Sequence, residues 1–275
     1  MQQAFGMAVP ETVSEMCRPT TSAVLVYDVQ VGILAHVQDR ERLVERISAV
    51  LQAARSSSVP VLYVRHVSLP PTHMGVAALR TAMAWQRVGE AAAVRAAFPP
   101  DAPHTQVVGE LAPADGEPVF DKLGMSALVG TPVEAVLRDR GVTTLVLVGA
   151  VLEIGIEPTA RHAADLGLLP VVVEDACGVV DTAAAQRSLA SLDYSLLSHR
   201  CSSQEVVDAF GTAGLPPGCR VGLACPGWGT TTCSGWCSGG CSSWPRAPRP
   251  HRGGPSGRSH PRPSPTSRPA GTPAW

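Results

Sequence analysis

Short apolar runs alternate with helix-patterned segments over most of this chain, and this alternation constrains the fold more than any other feature. Apolar runs with the length of buried strands occur at 23–27, 59–64, 119–122, 144–148 and 169–173. Amphipathic spacing predicts helices between and after them, at 40–55, 75–88, 90–98, 131–140, 155–166 and 182–197. Such an order indicates βαβ units. It predicts an α/β fold with three α/β/α layers and a mostly parallel, Rossmann-like sheet.

The composition of the chain changes abruptly near Phe210. Residues 211–275 contain 12 Pro, 13 Gly and seven Arg but no Asp or Glu, whereas residues 1–210 carry 15 basic and 23 acidic residues, a net charge of −8. A segment so rich in Pro and Gly, without apolar periodicity, does not join a packed core. Its cysteines also lack the paired C-x₂-C spacing of a zinc site. We therefore expect an N-terminal extension over 1–19, a globular domain over 20–210 and a disordered tail over 211–275.

Charge and hydropathy favour a protein that acts on small molecules in the cytoplasm. The formal net charge of −1 gives no reason to expect a nucleic-acid partner. The longest apolar stretch, 144–156, is interrupted by Glu153 and is too short to cross a bilayer. The N-terminus lacks the basic and apolar regions of a signal peptide. We expect a cytoplasmic homo-oligomer with a small-molecule substrate, no membrane partner, no metal and no cofactor.

Polar residues follow several of the predicted strands, where ligands of parallel sheets bind. Lys122 ends the third strand and is the only lysine, since the other 21 basic residues are Arg. An ammonium is a compact charge whose pKa shifts readily, so a retained lysine favours a chemical role over a surviving surface residue. Asp28 ends the first strand, where a poorly solvated carboxylate needs a partner. Lys122 is a candidate for that partner; the alternative is that Asp28 caps a turn.

Three motifs, in this order, resemble those of the isochorismatase-like hydrolase superfamily. They are Tyr27-Asp28-Val29-Gln30, Phe120-Asp121-Lys122 followed by Ser126-Ala127, and the stretch 148–161 followed by Ala163 and Asp165. The similarity covers about residues 20–200. The superfamily includes nicotinamidases, carbamoylsarcosine-type amidohydrolases and isochorismatases. The resemblance implies the three-layer fold that the periodicity already predicts.

The resemblance also implies a catalytic site with one departure from the common pattern. Most members resemble one another in having an Asp, Lys and Cys triad. Asp28 and Lys122 match its Asp and Lys, but Gly155 stands at the position of the nucleophilic Cys. Without a thiol no acyl-enzyme forms there. Isochorismatase-type members also have Gly at this point and cleave a vinyl ether by acid. In that interpretation Asp28 donates the proton, and Lys122 holds the substrate carboxylate and tunes Asp28.

Other residues are weaker candidates for the site. The substrate-binding set that we predict comprises His66, Val151, Gln30 and Arg87. His66 is equally well explained as a structural residue, and Arg87 as part of a surface helix instead of a lid. The family also implies a cis peptide bond at Ala150–Val151. Cys177 is either a substitute nucleophile or an inert buried thiol. Loss of the nucleophile also leaves open a catalytically silent protein that binds small molecules or serves as a scaffold.

Overall fold

A six-stranded, all-parallel sheet forms the centre of the computed structural model, which describes residues 1–212. Its spatial strand order is β5-β4-β3-β6-β7-β8. A separate antiparallel hairpin lies in the N-terminal extension. The strands of hairpin and sheet are, in chain order, β1 (Gln2–Ala4), β2 (Met7–Val9), β3 (Ser22–Tyr27), β4 (Val61–His66), β5 (Val119–Lys122), β6 (Thr144–Ala150), β7 (Leu169–Gly178) and β8 (His199–Cys201).

Helices cover both faces of this sheet, which confirms the predicted three-layer α/β fold. The helices are α1 (Val13–Met16), α2 (Val31–Leu34), α3 (Arg40–Ser56), α4 (Val76–Gln86), α5 (Val133–Asp139), α6 (Glu157–Asp165), α7 (Thr182–Ser195) and α8 (Ser203–Thr212). None of the helices within residues 1–212 has the length and apolar character that a membrane crossing requires.

Alternation along the strands divides the core into two layers. In β3, Val24 and Val26 pack with α3 and α8, whereas Ala23, Leu25 and Tyr27 pack with α5, α6 and α7. Successive side chains of a strand point to opposite faces, so each buried strand supplies both layers. Tyr27 is the last residue of β3. Its ring is therefore placed in the second layer, beside the edge of the sheet where the strands end.

Two regions differ from the prediction. The prediction of a helix over 90–98 is wrong, because the structure has only one 3-10 turn there, Ala91–Ala93. Val94 is the only buried residue of the segment, so a helix would gain too little from packing to form. The segment instead bonds to the chain just after β4, since the Ser68 N–H donates to the Phe98 carbonyl at 2.8 Å. β8 and α8 were not predicted, and a strand as short as β8, with three residues, carries almost no periodic signal.

The last described helix belongs to the domain. Phe210 is fully buried, and the Ser57 hydroxyl of the turn after α3 donates to its carbonyl at 2.9 Å. Of the tail predicted over 211–275, residues 213–275 lie outside the described residues. The N-terminal extension carries β1, β2 and α1, and the Met16 side chain at the end of α1 packs into the core layer of α3 and α8.

Candidate active site

Asp28 and Lys122 meet at the carboxyl end of the sheet. Asp28 Oδ2 lies 2.7 Å from Lys122 Nζ, and the two residues are only 5% and 2% exposed. Asp28 follows β3 in the left-handed region, at φ 46°, a conformation that Asp tolerates better than most residues. β4 lies between the two strands that carry the pair, so the side chains bridge the end of β4. The structure thus brings the two predicted catalytic residues together, and their catalytic role stays a prediction.

Burial disfavours the charged form of both partners. It raises the pKa of the Asp28 carboxyl from its ordinary 3.8 to about 6, although the nearby Lys122 ammonium opposes the rise. It also lowers the pKa of the Lys122 ammonium, against the opposing effect of Asp28. Asp28 Oδ1 is buried without a hydrogen-bond partner among the described residues. Such a carboxyl can carry a proton near neutral pH and has one oxygen free to deliver it.

The Lys122 ammonium is fully engaged by the protein. Besides Asp28 it donates to the Gly124 carbonyl at 3.2 Å, and it lies 4.3 Å from the ring centroid of Tyr27. An ammonium has three N–H donors, so one carboxylate, one carbonyl and one aromatic face account for all of them. In this structure Lys122 therefore tunes Asp28 and has no donor left for a substrate carboxylate.

Gly155 lies in the turn between β6 and α6, and the ring of Tyr27 fills the space above it. The turn is π-helical, Leu152–Ile156, and follows a cis peptide bond at Ala150–Val151, as the resemblance implied. A Cβ built on Gly155 would overlap the Tyr27 ring and its hydroxyl. Any side chain at this position would displace Tyr27, so the volume that a nucleophile would need is already occupied.

Three main-chain amides of that turn already have an acceptor. The Val151 carbonyl accepts the N–H groups of Ile154, Gly155 and Ile156 at 3.3, 2.9 and 3.2 Å. Val151 itself is buried in the core layer of α3 and does not line the cavity described below. Of the four predicted substrate contacts, only His66 lines that cavity.

Gln30 holds the main chain of His66 in place. Its amide nitrogen donates to the carbonyls of His66 and Thr105 at 2.9 and 2.7 Å, and its oxygen accepts the His66 N–H at 2.7 Å. Gln30 is fully buried, so it acts on the site through His66 in this structure. Burial, with a smaller contribution from Lys122, lowers the pKa of His66 to about 4. The imidazole is consequently neutral at pH 7.

A cavity of about 840 Å³ lies beside the pair. Gly124 and Met125 form the wall nearest to Lys122 and Tyr27, and His66 adjoins them. Most of the lining is apolar, and no Asp or Glu occurs among the described residues that line it. Its polar and aromatic side chains include His36, His66, His104, Arg95, Trp85 and Phe98. An apolar cavity in which Arg95 is the one charged residue of the described lining suits an apolar molecule that carries a carboxylate.

The cavity is lined by Arg95 and not by the predicted Arg87. Arg87 is exposed at the end of α4, at φ 54°. Gln86 fixes the main chain of Arg95 by two hydrogen bonds, at 2.8 and 3.0 Å. No motif singled out Arg95, and the helix predicted over 90–98 does not form around it. Within residues 1–212, no three His, Cys, Asp or Glu side chains converge in an arrangement that could hold a metal ion.

Two further features offer no reactive group. Cys177 is buried, and burial raises the pKa of its thiol far above the ordinary range, so it resembles an inert core thiol. A hollow of about 650 Å³ lies at the edge of β5, beside Arg65 and Asp121. The Arg65 guanidinium donates to Asp121 and to Gln106 at 2.5 and 2.7 Å, so its charge is already paired.

The raised pKa of Asp28 predicts how stability depends on pH. The unfolded chain loses the Asp28 proton near pH 3.8 and the folded protein near pH 6, so the folded state binds more protons between these values. The contribution of Asp28 to the free energy of unfolding should therefore fall as pH rises through this window, by at most about 1.4 kcal/mol per pH unit. Urea denaturation of the protein and of Asp28→Asn measures it. Equal pH dependence of the two would contradict the prediction.

Comparison with known proteins identifies the family. Residues 22–204 match the family model of the isochorismatase domain. The uncharacterised isochorismatase family protein YecD of Escherichia coli O157:H7 is 30% identical over 204 residues, which are 69% of this chain and 96% of that protein. The ureidoacrylate amidohydrolase RutB of Klebsiella pneumoniae subsp. pneumoniae is 35% identical over 83 residues, 30% of this chain and 35% of that protein.

Solved structures agree with the sequence matches. The crystal structure of a cysteine hydrolase from Pseudomonas syringae pv. phaseolicola 1448A has a TM-score of 0.61 and 26% identity, and the match covers 71% of this chain and 95% of that one. The family match begins at the first residue of β3 and includes Asp28, Lys122 and Gly155. Because that match spans most of the described domain, the chain belongs to the isochorismatase family.

Proposed function

We propose that this isochorismatase-family hydrolase cleaves a C–O bond of a small carboxylated substrate by acid catalysis from Asp28. The observation that carries the proposal is the unpartnered, buried Oδ1 of Asp28, on a carboxyl whose pKa burial raises to about 6. A general acid works best when its pKa lies near the working pH. Gly155 and the Tyr27 ring above it leave no place for a nucleophile, so proton donation is the chemistry that this site supports best.

The proposed reaction is hydrolysis of a vinyl ether. Protonated Asp28 gives its proton to the terminal carbon of the enol ether, which leaves a cation stabilised by the ether oxygen. Water adds to that cation and returns a proton to the Asp28 carboxylate. The hemiketal then collapses to an alcohol and pyruvate, so atoms and charge balance. Lys122 stabilises the Asp28 carboxylate in the interval between the two proton transfers.

Arg95 is the proposed partner of the substrate carboxylate. The contacts of Lys122 with Asp28, the Gly124 carbonyl and the Tyr27 ring favour Arg95 over Lys122 in this role. Arg95 lines the cavity. Its Nη1 donates to the carbonyls of Ala92 and Val94, and a guanidinium has further donors in a geometry that matches a carboxylate. The apolar walls would take the body of the substrate. Neutral His66 adjoins the pair and can accept a hydrogen bond from a substrate hydroxyl.

A second candidate is a protein of the same fold that binds small molecules without catalysis. Its support is the burial of Asp28 and Lys122, which leaves them almost no contact with solvent. A binding protein would still use the cavity of about 840 Å³ and Arg95. Both candidates would bind the small molecule, but only the enzyme would convert it.

The assay that separates these candidates uses the full chain. Pyruvate release is measured from isochorismate, and ammonia release from a panel of amides that includes ureidoacrylate. We expect pyruvate release that survives iodoacetamide, because the three described cysteines are buried and burial raises their pKa values. Ammonia release that alkylation abolishes would overturn acid catalysis. Binding of isochorismate without any turnover would favour the silent candidate.

A further inference from the structure

The most unexpected contact of the site is that between Tyr27 and Gly155. Tyr27 belongs to β3, and Gly155 lies 128 positions later in the turn before α6. The ring is 1% exposed and occupies the volume into which a side chain at position 155 would project. Only glycine at position 155 leaves room for the ring. The large side chain of Tyr27 and the absent side chain of Gly155 are therefore matched in size. The ring therefore fills a gap in the core layer of α5, α6 and α7 that would otherwise open beside the Asp28–Lys122 pair.

The face of the same ring holds the ammonium of Lys122. Nζ lies 4.3 Å from the ring centroid, on a lysine that is otherwise bonded to Asp28 and the Gly124 carbonyl. A cation over an aromatic face is attracted by the ring quadrupole, more strongly when the cation is desolvated. The ring thus contributes to the position of the charge that faces Asp28.

The hydroxyl of Tyr27 holds the segment that borders both the pair and the cavity. It donates to the Met125 carbonyl, and Lys122 donates to the preceding carbonyl, that of Gly124. Both carbonyls belong to the segment 123–125, which lines the cavity on its other side. Burial raises the pKa of the phenol well above its ordinary value, so it remains a neutral donor. Two adjacent anchors therefore hold this segment over Asp28 and Lys122.

We propose that Tyr27 is a positioning residue of this site: it takes the space of a side chain at position 155, orients the Lys122 ammonium, and holds segment 123–125 against the pair so that water is excluded from Asp28. As a role in catalysis this rests on the proposed function. The contacts themselves do not depend on turnover. The tests below use no activity assay, so the inference and the proposed function can fail separately.

The first test is the titration of Asp28 in Tyr27→Phe, followed by the ¹³C shift of its carboxyl group in NMR. Phe keeps the ring but loses the bond to Met125, so segment 123–125 is released and water reaches the carboxylate. We expect the pKa of Asp28 to fall by at least about half a unit, because hydration favours the charged form. The Asp28→Asn spectrum identifies the resonance.

Tyr63→Phe is the matched control for this titration. Tyr63 is also fully buried and lies in the neighbouring strand β4, but it packs in the other core layer, and its hydroxyl accepts from Arg55 at 3.2 Å. The control should leave the titration of Asp28 unchanged. An unchanged titration in Tyr27→Phe, or an equal change in the control, would overturn the positioning role.

The second test asks whether the two positions are matched in size. Gly155→Ala should lower the melting temperature by about 5 °C or more, because a side chain forced against a well-packed ring strains the core. Tyr27→Leu vacates part of that volume, so the double variant should melt at a higher temperature than Gly155→Ala alone. If the losses of the two single variants simply add, Tyr27 does not occupy the space of residue 155.

Discussion

Replacing Asp28 by Asn is expected to lower kcat for pyruvate release by about 10²–10⁴-fold, the usual contribution of a positioned general acid. Asn has the shape of Asp but no acidic proton, so the change removes proton donation and preserves packing. Substrate affinity should change much less, because Arg95, the proposed partner of the substrate carboxylate, lies in the cavity and is unaltered. The measurement is a steady-state comparison of kcat and KM for the two proteins.

Asp121→Asn is the control for this change. Asp121 is adjacent to Lys122 in β5, but it is exposed and pairs with Arg65, so its loss should alter kcat by no more than about twofold, as for a surface ion pair of little energetic value. If Asp28→Asn keeps more than about a tenth of the activity, Asp28 is not the acid. The unpartnered Oδ1 would then need another explanation.

The second large effect concerns stability. Lys122→Met should reduce the free energy of unfolding by about 3–5 kcal/mol at pH 8, because it leaves the buried Asp28 carboxylate without its charged partner. The loss should be smaller at pH 5, where Asp28 takes up a proton and needs no partner. Adding Asp28→Asn should restore part of the stability at pH 8, since no buried charge remains. Urea denaturation at both pH values measures these differences.

Arg65→Met is the matched control. Arg65 in β4 pairs with Asp121 in β5, next to Lys122. Its ion pair with Asp121 is partly exposed, with side chains 19% and 41% accessible. Such a pair contributes about 0–1 kcal/mol, and the loss should depend little on pH between 5 and 8. A loss for Lys122→Met as small as that for Arg65→Met would show that the Asp28–Lys122 pair is not energetically coupled.

The sequence predicted the sheet and the meeting of Asp28 with Lys122 for one physical reason. Buried parallel strands are short apolar runs, and their carboxyl ends lie along one edge of the sheet. A residue that directly follows such a run is therefore placed within narrow limits, whatever the loops do. This rule places Asp28 and Lys122 at the same edge of the sheet, and the buried position of the carboxylate makes the lysine a candidate partner.

The rest of the site depends on contacts that no local pattern encodes. Arg95, Phe98 and His104 reach the cavity from the connection between α4 and β5, which forms only short 3-10 turns although part of it has the spacing of a helix. Tyr27 was predicted to be an ordinary strand residue, because alternation gives the face of its side chain but not the partner that it meets. The close contact of the Tyr27 ring with Gly155 arises only when the turn before α6 packs against β3.

The hydrogen bonds of Gln30 have a consequence for the rigidity of the cavity. A carboxamide presents the same donor and acceptor as a peptide group, so Gln30 acts as a surrogate main-chain unit that extends the hydrogen-bond ladder beyond the end of β3 to His66, the last residue of β4. Its second N–H donates to the Thr105 carbonyl in the connection between α4 and β5. Next to it, the Val31 N–H donates to the Gln106 carbonyl and the Val108 N–H to the Val29 carbonyl, both at 3.0 Å. Side-chain and main-chain bonds together therefore fasten an irregular connection to the end of the sheet and restrict the motion of the cavity wall that it forms.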